Sequence, residues 1–328
     1  MKDTIVADII CIDSEKYPVP VWNDLQTNSL CEHDNFEIRH VIKTYFKPDC
    51  VWNWDVLLNS KSDVLISISP DQHDFGIPMD LAKKYKKTIF INDEPIWSSS
   101  VYPESIPNHE RDMKCWEPDI VYYCSKIDTD HSNKTNPYLA KNWNYCLDYL
   151  MPTRLPINKK SLTAIISCHP DGRDNGHTGW LGRAEVLSQI PEMKNIINVE
   201  EHIKSSYFHG TTDALRSSKI CILPPHGLLI HKLRLFRAWY LGVLPVIVNP
   251  EGWLDRQDFN EAYKDLIDQD GKTCILVDGT NKIQETLKTL RDENYVDSLL
   301  KNIYNMDLTE YGHKVTWDDL YYTLSGSQ

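Results

Sequence analysis

The stretch Ser217–Asn249 reads SSKICILPPHGLLIHKLRLFRAWYLGVLPVIVN. It begins with a short apolar run, Lys219–Leu223, passes through a Pro-Pro-His-Gly turn and enters a basic segment, Ile230–Leu241, with apolar residues at helical spacing. After Gly242 a second apolar run follows, Val243–Val248. The order strand, loop, helix, strand is the unit from which parallel sheets are built, and it decides the predicted fold class.

Similar short apolar or β-branched runs recur along the chain, with helical patterns between them. Continuous apolar strands that alternate with helices are typical of parallel sheets covered on both faces, so we predict an α/β protein. The runs lie at Ile5–Ile12, Asp63–Ser69, Thr88–Asn92, Asp119–Cys124, Leu162–Cys168, Ile196–Val199, Lys219–Leu223, Val243–Val248 and Cys274–Val277.

The length of 328 residues suggests two domains, because one domain usually has about 100–200 residues. Between the halves lies Asn136–Lys160, the best linker candidate, whose segment MPTRLPINKK has two prolines, no apolar periodicity and a basic end. We therefore expect residues 1–155 and 156–328 to form two Rossmann-like domains, with ligands at the carboxyl ends of the strands. A capping-box-like Thr316-Trp-Asp-Asp319 predicts a terminal helix, Trp317–Leu324, that either stays with the second domain or packs back on the first.

The composition excludes several classes of protein. With 41% hydrophobic and 25% charged residues the chain is neither disordered nor fibrous. The net charge of −12 argues against nucleic acid or an anionic membrane as a partner. No run approaches the ~18 apolar residues that cross a bilayer, and no signal peptide is visible at the N-terminus. Nine scattered cysteines without a CxxC pair indicate reduced thiols, so we expect a soluble, cytoplasmic protein or an excised domain of a larger one.

The basic helix within Ser217–Asn249 has the residue types of an anion-binding site. Loop amides and the N-terminus of the following helix point towards an anion, and Lys232, Arg234 and Arg237 add positive charge. A pyrophosphate suits this environment, with His226 and Gly227 in the loop. In the alternative interpretation, the cations lie on a solvated face opposite a buried apolar stripe.

Here the sequence resembles two known families. The segment R-L-F-R-A-W-Y-L-G-V-L-P-V-I, Arg234–Ile247, is similar to the R-L-x-E-A-L-x-x-G-x-x-P-V-I pattern of exostosin-like glycosyltransferases and to the corresponding segment of α1,3-fucosyltransferases. Upstream, Leu162–Leu187 resembles the strand, polar loop and Arg-led helix that open the C-terminal domain of these enzymes. Both families have the GT-B architecture, in which two Rossmann-like domains face each other and the C-terminal one binds most of the nucleotide sugar.

The resemblance implies that Arg183 and Arg234 bind the phosphates of the donor and neutralise the nucleoside diphosphate as it leaves. His169 and Arg173 follow the first strand of the same domain and would also face the donor. The family's acid, three positions after the leading arginine, is replaced by Arg237, so the contact of that acid does not transfer to this chain. Without the resemblance, Arg183 would be an ordinary exposed helix arginine.

A candidate base follows a strand of the first half. Thr88–Asn92 runs into Asp93-Glu94-Pro-Ile-Trp97, which puts acids at the carboxyl end of a strand. The segment looks like the N-x-E-S-P segment of fucosyltransferases, so the resemblance implies Glu94 as the catalytic base, with Asp93 second. The alternative is a glutamate that caps a helix or faces solvent.

Acceptor-binding candidates lie nearby in the sequence. Trp97 could stack on a sugar ring through its aromatic face. Asp71 and His73 follow the strand Asp63–Ser69 and either line the same edge or belong to an ordinary polar loop.

We therefore predict an inverting, metal-independent glycosyltransferase that moves a hexosyl or pentosyl group from a nucleotide-diphosphate sugar to an oligosaccharide or other glycan hydroxyl, without a cofactor. Two alternatives stay open. The D-x-D triplets Asp128–Asp130 and Asp268–Asp270 could hold a divalent cation, as in metal-dependent, single-domain GT-A glycosyltransferases. A non-catalytic module that binds sugar or nucleotide could have the same architecture.

Overall fold

The chain forms two compact units in the computed structural model. Unit 1 holds the described residues up to Tyr149 and those from Thr309 onward, and unit 2 holds Met151–Leu308. The change of unit at Leu150–Met151 lies close to the expected boundary at 155–156, and the terminal segment groups with unit 1. The structure describes residues 4–12, 22–44, 54–69, 79–92, 113, 117–123, 126–143, 148–149, 151–166, 178–202, 208–224, 232–249, 251–252, 254–255 and 264–326.

Each unit is built on a wholly parallel sheet, so the predicted α/β class is confirmed. Sheet 1, in unit 1, has the order β2-β1-β3-β4-β5-β6. Sheet 2, in unit 2, has the order β11-β10-β9-β7-β8. The strands are β1 (Ile5–Ile12), β2 (Phe36–Thr44), β3 (Val64–Ser69), β4 (Lys87–Asn92), β5 (Ile120–Tyr123), β6 (Leu139–Asn142), β7 (Ser161–Ile166), β8 (Asn198–Glu201), β9 (Ser218–Leu223), β10 (Leu244–Asn249) and β11 (Ile275–Asp278).

Helices connect most of the strands. Within the described ranges, short 3₁₀ turns lie at Ile157–Lys159, Thr280–Lys282 and Thr309–Tyr311. The α-helices of the described residues are α1 (Trp22–Cys31), α2 (Asp55–Leu58), α3 (Met79–Ala82), α4 (Lys126–Thr135), α5 (Thr178–Ser188), α6 (Ile190–Lys194), α7 (Phe208–Ser217), α8 (Lys232–Tyr240), α9 (Lys264–Ile267), α10 (Ile283–Thr289), α11 (Glu293–Tyr304) and α12 (His313–Ser325).

The two sheets share one topology. Counted from its own first strand, each has the second strand at one edge and the third on the other side of the first. The strand order therefore reverses between β1 and β3 in sheet 1 and between β7 and β9 in sheet 2. Ligands of doubly wound sheets bind outside the carboxyl ends of the strands at this switch point. The topology gives each unit one expected ligand edge.

Unit 1 buries apolar side chains on both faces of its sheet. On one face, Leu65 and Phe90 pack with Leu57 of α2 and Leu81 of α3. Elsewhere in the unit the Trp317 indole of α12 lies 5.1 Å from the Trp143 ring, centroid to centroid, and donates a hydrogen bond to Ser29 Oγ of α1 at 2.8 Å. These contacts fix the terminal helix in unit 1.

Helix α12 begins earlier than the sequence pattern predicted. It starts at His313, whose backbone N–H donates to the Asp148 carboxylate at 2.7 Å. Thr316 lies inside the helix, where its hydroxyl donates to the Gly312 carbonyl at 3.0 Å. The predicted start at Thr316 is wrong because a distant residue, Asp148, provides the carboxylate that caps the first turn.

Unit 2 contains two buried lysines that fasten helices to its sheet. Lys160 donates to the Arg216 and Leu241 carbonyl oxygens, at 2.6 and 3.0 Å, where α7 and α8 end. Lys219 donates to the carboxylates of Glu293 and Asp297 on α11. A cation at the C-terminal end of a helix satisfies free carbonyls and opposes the negative end of the dipole. Lys160 does so for two helices at once.

Candidate functional site

The site is built around the switch point of sheet 2. The chain leaves β7 towards β8 on one side and leaves β9 towards β10 on the other side. Because such crossovers are right-handed, α5 covers one face of the sheet and α8 the opposite face. The first turns of both helices therefore lie beside the switch point, where their free N–H groups favour an anion.

Arg183 lies on α5 and is 2% exposed. The alternative of an ordinary exposed helix arginine is therefore wrong. A guanidinium group stays charged at neutral pH and is rarely buried without polar or anionic partners. Arg183 therefore lies in the interior of unit 2, on the helix that follows β7.

Arg234 and Arg237 lie one turn apart on α8, so they project from the same side of the helix. Both are half-buried, and the helix buries Leu235 and Phe236 between them. The Arg237 guanidinium donates through Nη2 to Thr212 Oγ1 of α7. For Arg237 the interpretation as part of a solvated face is wrong, because its guanidinium turns towards the neighbouring helix.

The two guanidinium groups affect each other and a buried thiol. Burial, reinforced by the positive charge of Arg234, lowers the pKa of Arg237 to about 10. Burial raises the pKa of the Cys221 thiol on β9 to about 12, an effect that the charges of Arg237 and Arg234 partly oppose. At neutral pH both arginines are therefore charged and Cys221 is a neutral thiol. Two like charges held together in a half-buried setting favour binding of a multivalent anion.

Most of the remaining predicted site residues lie outside the residues that the structure describes. Lys232 is the first residue of α8, but its side chain is outside the description. The other candidates, which lie outside the described residues, are Asp71, His73, Asp93, Glu94, Trp97, His169, Arg173, His226 and Gly227.

Three buried polar residues near the strand ends were missed by the sequence analysis. Ser67 of β3 and Asn92 of β4 lie buried in sheet 1, just before the segments that hold the acceptor candidates. Asn249 ends β10 in sheet 2. Within the described part of the chain, Ser67 Oγ and Asn249 Nδ2 have no hydrogen-bond partner. The available signal was a polar residue inside an otherwise apolar strand near its carboxyl end.

The D-x-D triplet Asp128–Asp130 does not form a metal site. Asp128 is buried in α4, whereas Asp130 is exposed and accepts a hydrogen bond from Lys126 at 2.8 Å. Residues two apart in a helix project in different directions, so the two carboxylates do not converge on one ion. In the second triplet, Asp270 accepts a hydrogen bond from the Leu276 N–H. Across the described ranges, no group of three or more His, Cys, Asp or Glu side chains could hold a metal.

A polar cavity of about 390 Å³ lies elsewhere in unit 1, between the end of α1 and helix α12. It includes His33 and Asp318, whose Nε2 and Oδ1 atoms are 3.3 Å apart, and Lys314, which pairs with the same carboxylate at 3.0 Å. The cavity lies where α1 leads into the start of β2, at the amino end of the sheet. It therefore does not belong to the ligand edge.

No described helix combines the length and the apolar character needed to cross a bilayer.

Comparison with known proteins reveals a shared fold. No family model matches the chain, and no curated protein sequence is significantly similar to it. Among solved structures, Alr3699/HepE of Anabaena in complex with UDP and glucose is 10% identical, with a TM-score of 0.62 over 97% of this chain and 99% of that chain. UDP-GlcNAc 2-epimerase of Neisseria meningitidis, bound to UDP-GlcNAc, is 12% identical, with a TM-score of 0.58 over 98% of this chain and 100% of that chain.

A third similar structure is the N-terminal domain of trehalose-6-phosphate phosphatase from Candida albicans. It is 9% identical, with a TM-score of 0.55 over 98% of this chain and 100% of that chain. At such identities the similarity shows the fold alone, and the resemblance to exostosin-like enzymes and fucosyltransferases stays a prediction. The two parallel-sheet α/β units have the GT-B fold, as the sequence predicted.

Proposed function

We propose that this protein is a glycosyltransferase that binds a nucleotide-diphosphate sugar at the ligand edge of unit 2 and transfers the sugar to a carbohydrate hydroxyl. The observation that carries the proposal is the location of Arg183 and Arg234. They lie on α5 and α8, the helices that follow the two strands of the switch point. A doubly wound sheet binds its ligand at that point.

The chemistry of glycosyl transfer requires such cations. Negative charge builds up on the diphosphate as the glycosidic bond breaks, and guanidinium groups held in place stabilise that charge. Each charge-assisted hydrogen bond contributes roughly 1.5–3 kcal/mol. The mutual repulsion of Arg234 and Arg237 is relieved when an anion binds at Arg234. The chain as a whole carries a net charge of −12, so these local cations have to provide the attraction.

The choice of donor follows the similar structures. Alr3699/HepE was solved with UDP and glucose, and the Neisseria epimerase with UDP-GlcNAc. A UDP-sugar is therefore the first donor class to test.

The acceptor belongs to unit 1 in this proposal. Glu94 takes the proton from the acceptor hydroxyl as it attacks the anomeric carbon, with Asp93 as the second choice, and the transfer inverts the configuration without a metal ion or cofactor. Asp71, His73 and Trp97 contact the acceptor. The buried Ser67 hydroxyl supports a polar ligand at this edge, because a polar group without a partner is destabilising in an apolar sheet.

A second candidate function is interconversion of nucleotide-sugar epimers. It is favoured by the similarity, at a TM-score of 0.58, to UDP-GlcNAc 2-epimerase. Both functions require a nucleotide-sugar site in unit 2, and they differ in their products. A non-catalytic binding module would bind the nucleotide and give no product at all.

The test begins with binding. Isothermal titration with UDP, GDP, CMP and dTDP is expected to identify a nucleotide that binds. Arg234→Ala is expected to weaken the binding of that nucleotide at least tenfold. Arg39→Ala is the matched control, because Arg39 is an exposed arginine of unit 1 that pairs with Glu37. If none of the four nucleotides binds, or if Arg234→Ala binds as tightly as wild type, the proposed donor site is wrong.

Product analysis then separates the functions. The UDP-, GDP-, CMP- and dTDP-sugars that bind are incubated alone and with a panel of oligosaccharide acceptors, with and without EDTA. A glycosyltransferase releases free nucleotide and forms a glycoside, whereas an epimerase forms an epimeric sugar without needing an acceptor. Loss of transfer in EDTA would contradict the metal-independent mechanism.

A further inference from the structure

We infer that Arg237 is a positioning residue of the proposed donor site, held by Thr212 so that its charge strengthens anion binding at Arg234 without itself contacting the ligand. The inference rests on the proposed function, because it assumes that a nucleoside diphosphate binds at the N-terminal end of α8. In this inference Arg237 is not a ligand-binding residue; it is a fixed charge next to the ligand-binding residue Arg234.

The geometry separates the two arginines. Helix α8 spans nine residues, with Arg234 third and Arg237 sixth. Arg237 is therefore one turn farther than Arg234 from the N-terminal end of the helix. Because Arg183 is also the sixth residue of its helix, the contact that Arg237 makes decides its role. Its guanidinium is turned sideways to Thr212 Oγ1, which lies on the neighbouring helix α7. Thr212 is only 4% exposed, so its hydroxyl is a fixed acceptor.

The setting keeps the charge of Arg237 effective at a distance. A charge in a partly buried environment is screened much less than one in water, and its field reaches the next helical turn. Arg234 and Arg237 are close enough for the charge of each to disfavour the charge of the other. An anion at Arg234 therefore gains from both charges while it contacts only one.

Two other roles for Arg237 make different predictions. If Arg237 contacted the phosphates directly, the Thr212 hydroxyl would have little influence on affinity, because the ligand would hold the guanidinium. If Arg237 were only a structural link between α7 and α8, its loss would weaken the binding of charged and uncharged ligands equally. If Arg237 is a positioning charge, its loss weakens binding of the charged ligand selectively, and its effect depends on the Thr212 hydroxyl.

The experiment measures the affinity of the full chain for UDP, GDP and dTDP, each compared with its own uncharged nucleoside. For the diphosphate that binds, Arg237→Met is expected to weaken binding about tenfold, with less than a twofold change for the nucleoside. Arg237→Lys keeps the charge and is expected to restore affinity to within about threefold of wild type. Thr212→Val is expected to weaken binding of the diphosphate about threefold, whereas Thr212→Ser is expected to bind it as tightly as wild type.

A matched control separates positioning from loss of stability. Thr163 is also 4% exposed, and its hydroxyl accepts a hydrogen bond from Asn198 at 3.0 Å in the same unit. It lies near the start of β7, at the opposite end of that strand from the ligand edge. Thr163→Val is expected to lower the Tm about as much as Thr212→Val and to leave diphosphate affinity unchanged.

The outcomes distinguish this inference from the proposed function. If Arg237→Met binds the diphosphate within twofold of wild type, or loses nucleoside affinity equally, Arg237 does not act as a positioning charge. The donor site itself survives that result if Arg234→Ala still abolishes binding. If wild type binds none of the three diphosphates, both proposals fail. Should Arg237→Met not fold, the Thr212→Val and Arg237→Lys arms decide the question.

Discussion

The two units share a strand order but differ at their ligand edges. In unit 2, the helices that flank the switch point contain the buried Arg183 and the half-buried Arg234 and Arg237. In unit 1, β3 and β4 contain the uncharged Ser67 and Asn92 near their carboxyl ends. One scaffold therefore provides a cationic edge in unit 2 and, at β3 and β4 of unit 1, strand ends that are polar and uncharged. In the proposed function, unit 2 accordingly binds the anionic donor and unit 1 the neutral acceptor.

The largest expected effect comes from a substitution at Gly242, in the turn that follows α8 in unit 2. Gly242 has φ +66°, and a Cβ there would lie 2.5 Å from Tyr304 Cε2. We expect Gly242→Ala to lower the free energy of unfolding by about 3 kcal/mol or more, because a left-handed residue also acquires a clash. Gly326, the C-cap of α12 in unit 1, has φ +65° with no atom within 4 Å of the added Cβ.

Gly326→Ala is therefore expected to destabilise by only about 1 kcal/mol. Urea denaturation followed by circular dichroism measures both variants. Equal losses for the two glycines would show that contact with Tyr304 does not hold the end of α8.

Charge reversal at Arg234 tests the cationic edge. We expect Arg234→Glu to weaken binding of the cognate nucleoside diphosphate about 100-fold, since an attraction becomes a repulsion. Arg39→Glu, a reversal on the exposed strand β2 of unit 1, is expected to leave affinity within twofold of wild type. Titration calorimetry at two salt concentrations measures both, and a parallel loss in the two variants would indicate a general field effect instead of a local site.

The pH dependence of unfolding tests the lysine cap of α7 and α8. Burial, with smaller effects of Arg216 and Arg154, lowers the pKa of Lys160 to about 8. Because the folded pKa is below that of the unfolded chain, the native state disfavours the charged amine. Stability is therefore expected to rise between pH 8 and about 10.5, by on the order of 2–3 kcal/mol for this group.

Lys160→Met removes that rise and leaves the carbonyl oxygens at the two helix ends without their donor, so it is also expected to be less stable than wild type at pH 8. Chemical denaturation of both proteins across this pH range measures the slope. Parallel curves for the two proteins would contradict the assignment.

The smallest expected effect on stability concerns Ser67, near the carboxyl end of β3. We expect Ser67→Ala to change the free energy of unfolding by less than about 0.5 kcal/mol, because the hydroxyl has no partner in the described chain. Ser62→Ala is the contrast in the same unit, since the Ser62 hydroxyl donates to the buried Asp8 carboxylate at 2.8 Å. Its loss is expected to destabilise by about 1.5–3 kcal/mol. A large stability loss for Ser67→Ala would mean that its hydroxyl has a structural role.

The sequence was sufficient for the fold because the central strands are continuous apolar runs. Strands such as β9 and β10 are buried on both faces, and that burial is what the pattern detects. The edge strands β2 and β6 were missed. β2 mixes charged and apolar residues along Phe36–Thr44, and β6 has only four residues, Leu139–Asn142, so neither shows the continuous apolar pattern of a buried strand.

The candidate site was predicted only in part. The arginines of α8 were singled out by a local pattern, because a loop and a helix start are contiguous in sequence, whereas Arg183 on α5 was singled out only by the resemblance to known families. The burial of Arg183 and the contact between Arg237 and Thr212 could not be predicted in the same way. Both depend on which helices share a face of the sheet, and that is a property of the topology. The cap of α12 by Asp148 was missed for the same reason.

The central claim is that a nucleoside diphosphate binds where α5 and α8 begin. Hydrogen exchange followed by mass spectrometry, with the chain saturated by the diphosphate that binds in the titrations, tests this location most directly. The account predicts slower exchange in peptides that cover Thr178–Ser188 and Lys232–Tyr240, and no change in those that cover α1 and α12 of unit 1. Protection that is absent from both unit 2 helices and present in unit 1 would contradict it.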